Sequence, residues 1–194
     1  MRISLSYFTA LLILALPFTH VWADDDDAKY QEAKEVFQKA GASGTYFDKS
    51  YGYALLPTIG KGGVGVGAAH GSGRVYKGGV YVGDTSMTQL SIGWQLGAQA
   101  YSQIIFFQDK RAFDEFTSGN FEFGAGASAV AITAGASAST STAGGSTTGI
   151  SGGKNDASTA GGYSKGVAVF TVAKGGLMYE ATISGQKFSY KPKQ

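Results

Sequence analysis

Leu90-Ser91-Ile92-Gly93-Trp94-Gln95-Leu96-Gly97-Ala98-Gln99-Ala100 is the stretch whose periodicity sets the fold class. Leu90, Ile92, Trp94, Leu96, Ala98 and Ala100 alternate without a break with Ser91, Gly93, Gln95, Gly97 and Gln99. A period of two is what a β-strand imposes when one face is apolar and the other small and polar. Ile104-Ile105-Phe106-Phe107 continues the segment as a run apolar on both sides, which suits a strand buried on two faces. Upstream, the same glycine-rich and β-branched texture gives Tyr53-Ala54-Leu55-Leu56 ending at Pro57, then Ile59 to Ala69, then Arg74 to Val82. Downstream, Phe121 to Thr133 alternates again. Val167 to Ala173 and Leu177 to Ser184 read as a hairpin around Lys174-Gly175-Gly176, and Lys187 to Tyr190 as a last strand.

Two segments break this pattern with a helical period. From Ala28 to Ala40, Tyr30, Ala33, Val36, Phe37 and Ala40 share a stripe while Lys29, Glu32, Lys34, Glu35, Gln38 and Lys39 face away, and Gly41 stops the helix. The preceding Asp24-Asp25-Asp26-Asp27 suits the positive end of a helix dipole. Asp109 caps a second, short helix with Ala112, Phe113 and Phe116 inward, closed by Ser118-Gly119-Asn120. The expected fold is therefore mainly β, a curled antiparallel sheet of about seven strands, barrel- or sandwich-like, with a leading amphipathic helix and one short inserted helix. Glycines two apart at Gly63, Gly65 and Gly67, and at Gly124 and Gly126, leave one strand face bare and permit sharp coiling or close packing. Ser137 to Gly161, built almost entirely of Gly, Ala, Ser and Thr, has too little apolar surface to offset its ordering entropy and reads as a loop within one domain over residues 24–194.

Residues 1–23 have the layout of a secretory signal peptide: Arg2, an apolar stretch from Leu5 to Phe18, and a small-residue cleavage site at Val21-Trp22-Ala23. That stretch is about 14 residues, against the ~20 needed to span a bilayer. The expected location is outside the cytoplasm, in a periplasm, at an outer-membrane periphery, or secreted. The chain has no cysteine, 30 glycines and a formal charge of +2, which removes disulfide frameworks, thiolate metal sites and cysteine nucleophiles, and gives no field that would gather nucleic acid. Charged residues make up 15%, below the ~25% of soluble domains, which with the glycine content suits β-structure with tight backbone approaches or a chain that meets an apolar phase.

Gly60-Lys61-Gly62-Gly63-Val64-Gly65-Val66-Gly67 resembles a phosphate loop only superficially, because it runs on in strand period instead of opening a helix. Lys-Gly-Gly recurs at Lys61, Lys77 and Lys174. Three lysines at glycine turns could ring one end of a barrel and meet anionic headgroups, or could be ordinary solvated turns. His70 is the one histidine after the leader and lacks the partners a zinc site or Ser-His-Asp arrangement needs. No paired carboxylates stand out, so no enzymatic activity, cofactor or metal is expected.

The order Tyr53-Ala54-Leu55-Leu56-Pro57, Lys61-Gly62-Gly63-x-Gly65-x-Gly67, Gly71-Ser72-Gly73, Gly93-x-x-x-Gly97-Ala98-Gln99, Ala112-Phe113-x-x-Phe116, Phe123-Gly124-Ala125-x-Ala127 and Lys165-Gly166-Val167 to Gly176-Leu177 resembles the SYLF domain family of lipid-binding proteins. The resemblance spans about Ala28 to Tyr190. It implies a non-enzymatic module that binds anionic phospholipid; eukaryotic members bind phosphoinositides and work with actin and endocytic machinery. Members of the family use a leading basic amphipathic helix, whereas here Lys29, Lys34 and Lys39 are offset by Glu32, Glu35 and the aspartates. The expectation is thus an exported lipid-binding module with Lys61, Lys77 and Lys174 on the headgroups. The alternatives are an envelope scaffold that binds a protein or polysaccharide and, behind it, a small integral outer-membrane barrel.

Overall fold

The computed structural model describes residues 22–124, 127, 129–132, 162–174 and 183–194, with side-chain surroundings for all of these except 22–25, 64, 65, 91–98 and 131. Nearly all of the leader, the 137–161 loop and most of the Leu177 to Ser184 arm lie outside these residues. Helix α1 spans Trp22–Lys39 and the short α2 Gly41–Gly44. Strands β1 (Gly52–Lys77) and β2 (Val80–Phe107) follow, then helix α3 (Lys110–Thr117). Strands β3 (Phe121–Glu122), β4 (Val130–Ile132), β5 (Val167–Lys174) and β6 (Gln186–Pro192) complete the order. The fold is mainly β, as expected, and the described strands form one curled sheet ordered β3-β6-β2-β5-β4 with β1 on β2. All pairings are antiparallel except β4 with β5.

The segments read as separate strands between Tyr53 and Phe107 are two very long ones. Pro57 does not end a strand: it sits where the register shifts between Leu56 and Ile59, so the residue without an N–H falls outside the ladder. Its carbonyl accepts a hydrogen bond from Ser102 Oγ at 2.8 Å. Conversely, Arg74 to Val82 is broken by the β1–β2 turn, where Gly78 (φ 54°) and Gly79 (φ 81°) supply the two left-handed positions that a tight two-residue hairpin turn demands. Helix α1 begins at Trp22 rather than Ala28, so the aspartates do not precede it: Asp26 and Asp27 are its fifth and sixth residues, past the first turn where the dipole favours carboxylates, and ion pairs hold them instead, Asp26 with Lys29 at 2.6 Å. Asp109 caps α3 as expected, accepting from Ala112 N at 2.8 Å.

The β1–β2 ribbon then doubles over. A register shift falls between Val64 and Val66, beside Gly63 at φ 154°. Beyond it the second half of β1 returns along the first: Gly71 lies against Thr58 and Ile59, Gly73 against Leu55 and Leu56, and Gly52 against the Tyr76 carbonyl. The two halves of β2 consequently take different neighbours, residues 83–89 pairing with β6 and residues 100–107 with β5. Alternation along 104–107 divides two cores. Ile105 and Phe107 face inward with Ile59, Met87, Phe188 and the α3 residues Phe113 and Phe116, whereas Ile104 and Phe106 face outward under Tyr30, Ala33 and Phe37 of α1. All four residues of that run are fully buried.

The Leu90 to Ala100 strand exists, but its apolar face is not covered where it begins. Leu90 is 78% exposed, while its polar neighbour Gln89 is 4% exposed. The inner face at this point is a polar knot. Gln103 and Gln186 exchange reciprocal amide bonds of 2.8 and 3.1 Å, Gln186 donates to Tyr101 Oη at 3.2 Å, and Gln89 donates to the Ser184 carbonyl at 3.0 Å. Replacing Gln186 with Leu removes both bonds to Gln103 and orphans a fully buried amide, so a loss of about 2–3 kcal/mol is expected. The double change Gln103→Leu with Gln186→Leu removes both partners and should cost less than the sum of the single changes; chemical denaturation of the four proteins measures it, and strict additivity would refute the coupling.

Candidate functional site

The three lysines of the repeated Lys-Gly-Gly do not converge. Lys61 is half-buried opposite Gln99 of β2, and Lys174 is exposed opposite Ala100, whose other strand neighbour is Gly60. These two share the end at which the ribbon doubles over, Lys61 on the inward-facing register and Lys174 on the outward one, where its Nζ donates to Thr58 Oγ1 at 2.9 Å. Lys77 instead occupies the β1–β2 turn, with its Nζ 5.2 Å from the Tyr51 ring centroid. Gly78 N donates to the Tyr51 carbonyl at 3.3 Å, which sets the turn beside the start of β1. Lys77 is thus level with Gly52 and Lys174 with Gly60; at ~3.3 Å per residue the two ends are roughly 25 Å apart. One ring of three is ruled out by the doubling at Gly63, which sends the Gly78-Gly79 turn to the far end.

The doubled-over end has a simple electrostatic character. No carboxylate occurs in β1, in β2 after Asp84, or in β5. Among the described residues, Lys61 and Lys174 make no ion pair, whereas Lys29, Lys39, Lys110, Arg74, Arg111 and Lys187 all do. Toward the same end, on the outward face of the doubled ribbon beyond Gly63, Val66 is 62% and Leu90, opposite Ala68, 78% exposed. An end that carries both lysines outside any ion pair and uncovered aliphatic side chains can meet a surface that is itself anionic outside and apolar beneath.

Sequence reasoning missed a second cluster. The Arg74 guanidinium lies between the rings of Tyr30 on α1 and Tyr81 on β2, 4.2 and 5.1 Å from their centroids, and pairs with Asp27 at 2.5 Å. Tyr81 Oη donates to Asp84 at 2.7 Å, and Lys193 Nζ stands 4.9 Å from the Tyr81 ring. Burial pushes the Tyr30 hydroxyl up to about 12, against the opposing pull of Arg74. The cluster borders a cavity of about 690 Å³ whose lining includes Lys29, Ser72, Ser86 and Lys191. With its guanidinium already committed to a carboxylate and two rings, it clamps the start of α1 onto the sheet. No local signal could reveal it, because Asp27 and Arg74 are 47 positions apart. His70 is exposed opposite Thr88, and among the described residues no three His, Asp or Glu side chains gather where they could hold a metal.

No helix among the described residues is long and apolar enough to cross a membrane, which says nothing of strands. Residues 88–193 match the model of the family described as Ysc84, Las17-binding protein actin regulator. That match takes in most of β2, then α3 and β3 to β6, the half of the molecule on which β1 and α1 are laid. The chain is also 27% identical over 162 residues to beta cell expansion factor A of Aeromonas veronii, covering 79% of this chain and 51% of that protein. It therefore spans about half the length of the curated relative it matches.

Proposed function

The chain belongs to the Ysc84 (SYLF) family, and from that premise we propose that it is an exported, non-enzymatic module that docks on anionic phospholipid through its doubled-over end. The family is one of binding modules, for which a lipid-binding or scaffold role is the supported class. The observation that carries the finer reading is that Lys61 and Lys174 share one end with exposed Val66 and Leu90, on strands that hold no carboxylate in β1, in β5 or in β2 after Asp84. Each lysine near an anionic leaflet contributes about 1 kcal/mol, falling off within a Debye length. The outward face farther along β1 and β2 carries Ser72, Arg74, Ser86 and Asp84, opposite Ser189 and Lys191 of β6. Such a face favours docking over spanning, since a bilayer-facing barrel wall is apolar. The composition of residues 1–23 supports export, and nothing in the proposed binding calls for a cofactor.

The test is co-sedimentation with vesicles of phosphatidylcholine alone or with phosphatidylglycerol, at low and physiological salt. Binding should be confined to the anionic vesicles, weaken with salt, and fall at least about tenfold for the Lys61→Glu, Lys174→Glu double variant, since each reversal both removes and opposes about 1 kcal/mol. Equal binding by parent and variant would refute the lysine contacts. Absence of binding at any salt would transfer the role to the second reading, a protein-binding scaffold, which the family's description as a Las17-binding actin regulator favours.

A further inference from the structure

The split of the three lysines leaves the far end of the molecule unexplained. At the β1–β2 turn Lys77, Gly78, Gly79 and Val80 are all exposed, Val80 by 66%, and space is open around both glycines. Lys193 is brought beside the turn by its backbone N–H, which donates to the Val82 carbonyl at 2.9 Å. Lys77 and Lys193 rest over Tyr51 and Tyr81 and form no ion pair among the described residues. Helix α3 packs at this end through Phe113 and Tyr51, 5.5 Å between ring centroids, but its Asp114 and Glu115 are taken up by Lys110 and Arg111. Of the remaining carboxylates, Asp109 is turned to the N-terminus of α3, and Asp84 accepts from the hydroxyl of Tyr81, the ring over which Lys193 rests. The turn end thus repeats, in weaker form, the combination found at the doubled-over end: unpaired lysines around an exposed aliphatic tip.

We propose that the Lys77–Val80 turn is a second anionic-membrane docking surface, so that a single molecule bridges two bilayers. This rests on the docking reading of the Lys61 and Lys174 end. The two ends lie roughly 25 Å apart along the strands, beyond the ~10 Å over which salt screens charge at 0.1 M, so each meets its own surface without opposing the other. They also point in opposite directions along the doubled ribbon, because the β1–β2 turn lies beside the start of β1 while the fold lies at its middle, near Gly63. One flat membrane therefore cannot receive both.

The experiment follows vesicle size by light scattering alongside co-sedimentation, using the full chain and phosphatidylglycerol-containing vesicles at physiological salt. The parent should pellet with vesicles and enlarge their apparent size several-fold. The Lys77→Glu, Val80→Ser variant, altered only at exposed positions, should still pellet within about threefold of the parent while the size increase is lost. Lys61→Glu with Lys174→Glu should lose the increase too, and an equal mixture of the two variants should not restore it. Pelleting without any size increase by the parent would overturn the bridge while leaving the docking reading intact. No pelleting by the parent would overturn both. Clustering that survives Lys77→Glu with Val80→Ser, or returns in the mixture, would overturn a single-molecule bridge and assign the clustering to protein association.

Discussion

Replacing Phe106 with alanine should destabilise the protein by about 4 kcal/mol, a large part of the 5–15 kcal/mol that holds a domain of this size together. Phe106 is fully buried on the outward face of β2. Its ring meets Tyr46 at 5.4 Å, Phe47 at 4.9 Å, Phe170 at 6.0 Å and Tyr53 at 6.0 Å, between ring centroids. These partners come from the segment after α2, from β5 and from β1, so one ring joins the helical cover to three strands. Truncation loses the transfer energy of the side chain and leaves a cavity that four aromatic neighbours, each fixed by other rings, cannot collapse to fill. Chemical denaturation gives the magnitude, and amide exchange should show α1 opening more readily than the β2–β5 pairing. A loss below about 1.5 kcal/mol would show that the outer cluster does not anchor the helices.

Gly73→Val should be of similar size, at least about 3 kcal/mol, for a different reason. A Cβ at position 73 would stand 2.6 Å from the Leu55 carbonyl oxygen and 2.7 Å from Leu56 Cγ. The first contact is with backbone held in the β1–β2 ladder, so relief requires separating the two halves of β1, and overpacking of this kind costs more than a rotamer change. The control is Gly60→Ala, where an added Cβ meets nothing within 4 Å. That change should be neutral or slightly stabilising, because it only narrows the unfolded ensemble. Thermal or urea unfolding of the pair separates steric exclusion from a general effect of losing a glycine; equal behaviour would refute the close approach at Gly73.

What was legible in the sequence followed from local physics. Alternation along Leu90 to Ala100 and the doubly apolar Ile104 to Phe107 identified strands because the period of side-chain direction is a property of the backbone. The stripe of Tyr30, Ala33 and Phe37 and the Asp109 cap identified α1 and α3 for the same reason. Pro57 and Gly78-Gly79 are ambiguous in sequence because punctuation has two meanings. A proline can end a strand or occupy a bulge, and paired glycines can soften a strand or reverse it; the partner strand chooses. For the candidate site, the lysines were visible as turn lysines, but their distribution between two ends was not.

The sequence by itself determined the kinds of element, their order, the apolar residues able to form a core, the family to which the chain belongs and the scarcity of charge near Lys61 and Lys174. Only the tertiary structure decided that β1 doubles back on itself, that Leu90 lies in solvent while Gln89, Gln103 and Gln186 are buried, and that Arg74 clamps α1 through Asp27. Each of those depends on contacts between residues far apart in the chain. Periodicity reports which way a side chain points relative to its neighbours, whereas the side that is covered depends on where another segment comes to rest, and that rests on the summed packing of the whole molecule.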